Sequence, residues 1–177
     1  MDQELRKRLE TFLMPLYQDL DGISRFDDVE RIARIARQLH PPESLALDLL
    51  LLFHRLGNWL DRVGNISRVV LAVGGVSESD LRRTAMSIKH LEAPGTGEER
   101  AVAAAILIDR EGVRGLAARF ATARREGHSV LDVVREAVAS SWVPDWVPSE
   151  GREWLERRHE SRRAFCSVIL DELDLKL

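Results

Sequence analysis

One cysteine, one tyrosine and six prolines in 177 residues remove several classes of protein at once. A lone thiol, Cys166, can form neither an intrachain disulfide nor a Cys-rich zinc site. No apolar run approaches the roughly 18 residues that a bilayer-spanning helix requires. The opening MDQELRKRLE is a charged amphipathic stretch without the apolar segment of a signal peptide, so a cytoplasmic location is expected. Charge of one sign is also missing. Lys and Arg total 26 against 29 Asp and Glu, for a net charge of -3. That balance gives no general attraction to nucleic acid or to an anionic membrane. A phosphate-cradling glycine loop is absent too, because GTGEER at 95–100 lacks the lysine and the preceding strand of a P-loop. Strand signals are confined to VVLAV at 69–73, which is short and isolated.

What is present is helical periodicity. Residues 2–20 carry Leu5, Leu9, Phe12, Leu13 and Leu16 at helical spacing. Asp27 or Asp28 can cap the next helix, whose apolar face is Val29, Ile32, Ile35, Ala36 and Leu39 and which stops at Pro41-Pro42. Ser44 can cap a third helix reaching to about Val63, and its LALDLLLLF run must be buried on most sides. A short helix near 66–73 ends at Gly74-Gly75. Ser77-x-x-Asp80 opens a helix to about Leu91, and Thr96-x-x-Glu99 is a capping box opening an Ala-rich helix over 97–109. Further helices fit 112–126 and 129–140, a proline-broken connector spans 141–148, and a final helix runs over 149–174. The expected fold is all-α, a single-domain helical bundle over 1–177.

Five histidines are the natural candidates for chemistry. His40 precedes two prolines, His128 sits in a Gly-His-Ser turn, and His159 lies in ERRHESRR, so exposed positions are expected for all three. His54 and His90 differ, because each stands within or at the end of an apolar helix. His54 is followed directly by Arg55 inside LLFHRLGNWL, and a buried polar pair of this kind needs partners or costs several kcal/mol.

The order DDVERIARIARQL, then LLFHRLGNW, then SIKHLEAPGTGEERAVAAAILIDREGVRGLAARF resembles the HD superfamily of helical metal-dependent phosphohydrolases. In that family a helix begins H-x-x-R-V-x-x-x-A, and the next ends in an apolar run closed by a His-Asp pair. An I-x-x-H helix, a P-x-T-x-E segment, an Asp-Ala-Asp helix and a Gly-containing turn follow. The tail SEGREWLERRHESRRAFCSVILDEL resembles the closing helix of small members, so the likeness covers about residues 10–174. The resemblance implies an HD-type bundle whose metal is held by a first His, the His-Asp pair and a later Asp.

Most of those ligands are replaced here. Asp28 falls at the first His position, with Arg31, Ile32 and Ala36 following at the family's spacing. His54 keeps the His of the pair, and Arg55 replaces its Asp. Pro94, Thr96 and Glu98 match P-x-T-x-E, while Ala104 and Ile106 stand where Asp-Ala-Asp belongs. His90 is the candidate for the I-x-x-H histidine, with Ser87 in place of the Ile, and Asp109 matches an outer acidic position. The vestigial site is therefore Asp28, His54, Arg55, His90 and Asp109, and His54 and Asp28 are the two residues that would hold a metal if any did. A divalent cation wants several lone-pair donors, and Arg offers none. Two unit charges about 4 Å apart at an effective dielectric of about 20 interact by about 4 kcal/mol, and a divalent ion doubles the repulsion from Arg55. The expectation is that Arg55 fills the cation's space, paired with Asp28, and that no cofactor is used.

Two function classes follow. The first is a degenerate, metal-free HD domain serving binding or assembly, with a homodimer or an active HD protein as partner. The alternative is a phosphohydrolase acting on a nucleotide or another phosphate ester, with Mn, Mg, Ni or Fe in a site rebuilt from Asp28, His54, His90 and Asp109. Elsewhere the bland readings are preferred. The pairs Arg82-Arg83, Arg124-Arg125, Arg157-Arg158 and Arg162-Arg163 are expected on solvated faces. Trp142 and Trp146 are expected to lock the connector onto the core, and Cys166 to be a core thiol.

Overall fold

The structure, a computed structural model, describes residues 1–18, 26–40, 43–140 and 142–172. It is all-α: among the described residues there are ten helices and no strand. By internal contacts the chain divides into two units, Met1–Ala105 and Ile106–Leu177.

The first unit holds α1 (Gln3–Gln18), α2 (Phe26–Leu39), α3 (Leu45–Phe53), α4 (Gly57–Leu60), α5 (Asn65–Val73), α6 (Glu78–Lys89) and the beginning of α7 (Gly97–Glu111). The four-residue spacing of Leu5, Leu9, Leu13 and Tyr17 puts all four on one buried stripe of α1. They join Leu52, Phe53, Leu56, Leu60, Val69 and Leu81 in one apolar core. Helix α3 is the hub, packing on α1, α2 and α6. Every residue from Leu47 to Phe53 is buried, as its run of apolar side chains requires. Arg37 of α2 bonds Asp48 of α3 at 2.8 Å. That bond fixes the two as an antiparallel pair, so the start of α2 lies toward the end of α3.

The capping signals hold. Ser44 accepts the Leu47 N–H at 3.0 Å, and Ser77 accepts the Asp80 N–H at 3.1 Å. Thr96 and Glu99 cap one another's backbone N–H at 3.2 and 3.1 Å, the reciprocal bonds of a capping box. Helix α5 forms despite its valines and ends at Gly74, whose φ of 65° suits glycine.

The third helix does not run to Val63. It stops at Phe53, turns through His54 and Arg55, and resumes as the single turn α4. Leu56 N–H returns to Phe53 C=O at 2.7 Å, a tightened bond that ends the α-helical ladder. The break carries Gly57 against α6, where a Cβ at residue 57 would stand 2.8 Å from Ile88 Cγ2. Only glycine allows that approach.

The second unit holds the end of α7, α8 (Val113–Glu126), α9 (Val130–Ala139) and α10 (Ser149–Glu172). Its core is Leu116, Val134, Ala137, Cys166 and Leu170, so Cys166 is the core thiol expected of it. The connector is anchored by Pro144 and Val147, which are buried. Trp142 is 73% exposed, contrary to expectation, while Trp146 is half-buried. The ends of the first and last helices at 19–20 and 173–174, and Pro41-Pro42, lie outside the described residues. Among the described residues no helix is long and apolar enough to cross a membrane.

Candidate functional site

The His54 locus is built at the last turn of α3. His54 is buried, and its ring Nδ1 lies 2.7 Å from the Leu51 carbonyl. A carbonyl only accepts, so Nδ1 carries a proton, and a neutral ring would present its lone pair at Nε2. That orientation is the one a metal-binding histidine adopts. Tyr17 comes to the same turn from α1, donating its hydroxyl to Leu52 C=O at 2.9 Å. Burial pushes the Tyr17 phenol well above its ordinary range, against the opposing charge of Arg55 and a hydrogen bond from the Arg55 backbone. Phe26, the first residue of α2, meets Tyr17 edge to face at 5.6 Å. The end of α1, the start of α2 and the end of α3 therefore converge here.

Asp28 follows within the first turn of α2, where a carboxylate suits the helix dipole, rather than acting as the residue before it. Its carboxylate accepts from Arg31 at 2.9 Å. Arg55 is exposed, yet its charge still acts on the buried Tyr17 phenol, so it stays beside this locus. Leaving the helix at His54 puts Arg55 at the surface while Leu56 returns to the core.

His90 was expected in an apolar setting, but its side chain is 56% exposed, with Nδ1 3.7 Å from Glu99 Oε1. It caps the end of α6, where the chain leaves the core for the turn at Ala93. Burial opposes the charge on Glu99. Hydrogen bonds from Ser87 and from the Gly95 and Thr96 N–H groups, with His90 nearby, nevertheless hold it below the ordinary carboxylate value. Glu98 accepts from Ser44 at 3.3 Å, at the opposite end of α3 from His54. Ten residues separate Ser44 and His54, or roughly 15 Å of helix rise. Ala104, at a position where the resemblance places Asp, is fully buried and offers no oxygen. Asp109 is half-buried and belongs to the second unit. Among the described residues no group of three or more His, Cys, Asp and Glu side chains could hold a metal ion. His54 supplies one well-oriented lone pair, the Asp28 carboxylate is engaged by a guanidinium, and Arg55 adds positive charge. This donor set does not fit a divalent cation.

A second polar group was missed in the sequence. Glu111, His159 and Arg162 are all buried, although ERRHESRR reads as a solvated face. Arg162 pairs with the Glu111 carboxylate and donates to Ser140 C=O. His159 Nε2 lies 3.1 Å from the same carboxylate, and Arg119 donates to its other oxygen at 3.1 Å. Burial lowers the pKa of His159, and the charge of Arg163 adds to the effect. The Glu111 charge is already matched by two arginines, so it does not rescue the imidazolium. The signal was the spacing of the buried stripe Gly151, Leu155, His159, Arg162, Cys166 and Leu170, which steps by three and four straight through both polar residues.

No family model matches the chain, and no curated protein matches it in sequence. Among solved structures the fold is similar to that of Bacillus subtilis YpgQ, crystallised in complex with ADP. The TM-score is 0.68 at 16% identity, covering 96% of this chain and 95% of that one. A likeness at this identity establishes the fold.

Proposed function

We propose that this chain is an HD-type domain that has given up metal-dependent catalysis and serves as a binding or assembly module. The observation that carries the reading is the state of the His54 locus. His54 retains the tautomer and burial of a ligand, while Asp28 is held by Arg31 and Arg55 stands where an acidic partner would be required. An outward Arg55 would favour a rebuilt metal site only if acidic side chains remained to gather around the imidazole, and among the described residues no such group forms. The module's partner in this reading is a second copy of the chain or an active HD protein, and light scattering coupled to size exclusion tests the first form.

One observation favours the second reading, a phosphohydrolase acting on a nucleotide or another phosphate ester: YpgQ, similar in fold, was crystallised with ADP. The deciding experiment is a hydrolysis screen over nucleoside mono-, di- and triphosphates with added Mn²⁺, Mg²⁺ or Ni²⁺. The expected result is no metal-dependent phosphate release. Clear turnover that requires the metal and disappears in His54→Ala would replace the first reading by the second.

A further inference from the structure

A cleft of about 510 Å³ opens within the first unit between the segment Leu60–Ser67 and α6. Its volume is that of a small-molecule site, in the range of about 300–1,000 Å³. One wall is apolar, formed by Ile66, Ala85 and Met86, and Met86 is 54% exposed. An exposed methionine beside a concave apolar wall gains by being covered.

The other part of the lining is charged. Asp61 is matched by Lys89 at 2.9 Å. Glu78, just outside the cleft, takes hydrogen bonds from Ser67 at 2.8 Å and from Arg82 at 3.3 Å. Among these side chains Lys89, Arg82 and Arg62 stand against only Asp61 and Glu78. Arg62 lines the cleft and makes no ion pair with a described residue. The surplus positive charge therefore sits at the mouth of an apolar hollow. The Arg82–Glu78 pair is exposed and weak, so Arg82 can turn to a stronger anionic partner at small cost.

We infer that this cleft binds a small amphipathic anion, an apolar body carrying one carboxylate or phosphate, with the body on Ile66, Ala85 and Met86 and the head on Arg62 and Arg82. The site is separate from the His54 locus and shares no residue with it, so the inference does not depend on whether that locus has lost its metal. Planar guanidinium groups suit both head chemistries through paired N–H donors.

Calorimetric titration of the full chain with decanoate, decyl phosphate and decanol tests it. Saturable one-to-one binding is expected for at least one of the two anions, with decanol at least about tenfold weaker, a difference of about 1.4 kcal/mol. Arg62→Glu should weaken the anion by tenfold or more, and Ala85→Trp, which fills the hollow, should abolish binding. Circular-dichroism melting of each variant verifies that it folds, and Met86→Glu stands in should Ala85→Trp fail to do so. No saturable anion binding, decanol binding as tightly as the anions, or an Arg62→Glu variant that binds normally would each overturn the inference.

Discussion

The two polar groups of this molecule, one in each unit, are built in opposite ways. In the second unit, Glu111 is sealed from solvent and surrounded by Arg162, Arg119 and His159, so both of its carboxylate oxygens face cationic or imidazole nitrogens. In the first unit, His54 is buried beside an exposed Arg55, and Asp28 accepts from Arg31 of its own helix. A largely buried network of this kind specifies packing. The His54 locus instead holds one oriented imidazole, and among the described residues no group of three or more His, Cys, Asp and Glu side chains forms around it.

The contrast is broken most severely at Arg162. Arg162→Leu leaves the Glu111 carboxylate buried with one strong partner fewer, and should cost about 3–5 kcal/mol in urea unfolding. Adding Glu111→Gln to that variant should restore part of the loss. A cost for Arg162→Leu below about 1 kcal/mol would show the network to be solvated after all. The corresponding change in the first unit is milder. Tyr17→Phe removes the hydroxyl that bonds Leu52 C=O and should cost about 1–2 kcal/mol, measured the same way.

A third prediction separates the units by pH. The folded His159 pKa lies below its ordinary 6.5, so the folded state binds this proton less readily than the unfolded chain. Stability is then fully present above pH 6.5 and falls as pH drops below it toward the folded pKa, by at most about 1.4 kcal/mol per pH unit. His159→Asn should flatten the urea-midpoint profile between pH 7 and 5. The smallest effect is expected at Glu153–Arg157, an exposed pair at 3.5 Å, where Glu153→Ala should change stability by less than about 0.5 kcal/mol.

Helix starts and stops were legible in the sequence because their causes are local. Ser44, Ser77 and the Thr96–Glu99 box act within four residues of themselves, and Gly74 and Gly127 end helices through their own backbone freedom. The break after Phe53 was not legible, because the close approach it permits, Gly57 against Ile88, involves a side chain of another helix. The exposure of Arg55 follows from that break and was hidden with it. His159 and Arg162 were concealed by charged neighbours, although their spacing from Leu155 and Cys166 marked them as core. Composition of a window misleads where the period of a single face does not. His90 shows the converse: the residue that caps α6 is exposed because the chain turns away there.

The most direct test of a lost metal site is metal content. The full chain is dialysed against Mn²⁺, freed of excess ion, and analysed by inductively coupled plasma mass spectrometry beside His54→Ala. The prediction is a content well below one metal per chain and equal in the two proteins. One metal per chain, lost in the His54→Ala variant, would contradict it.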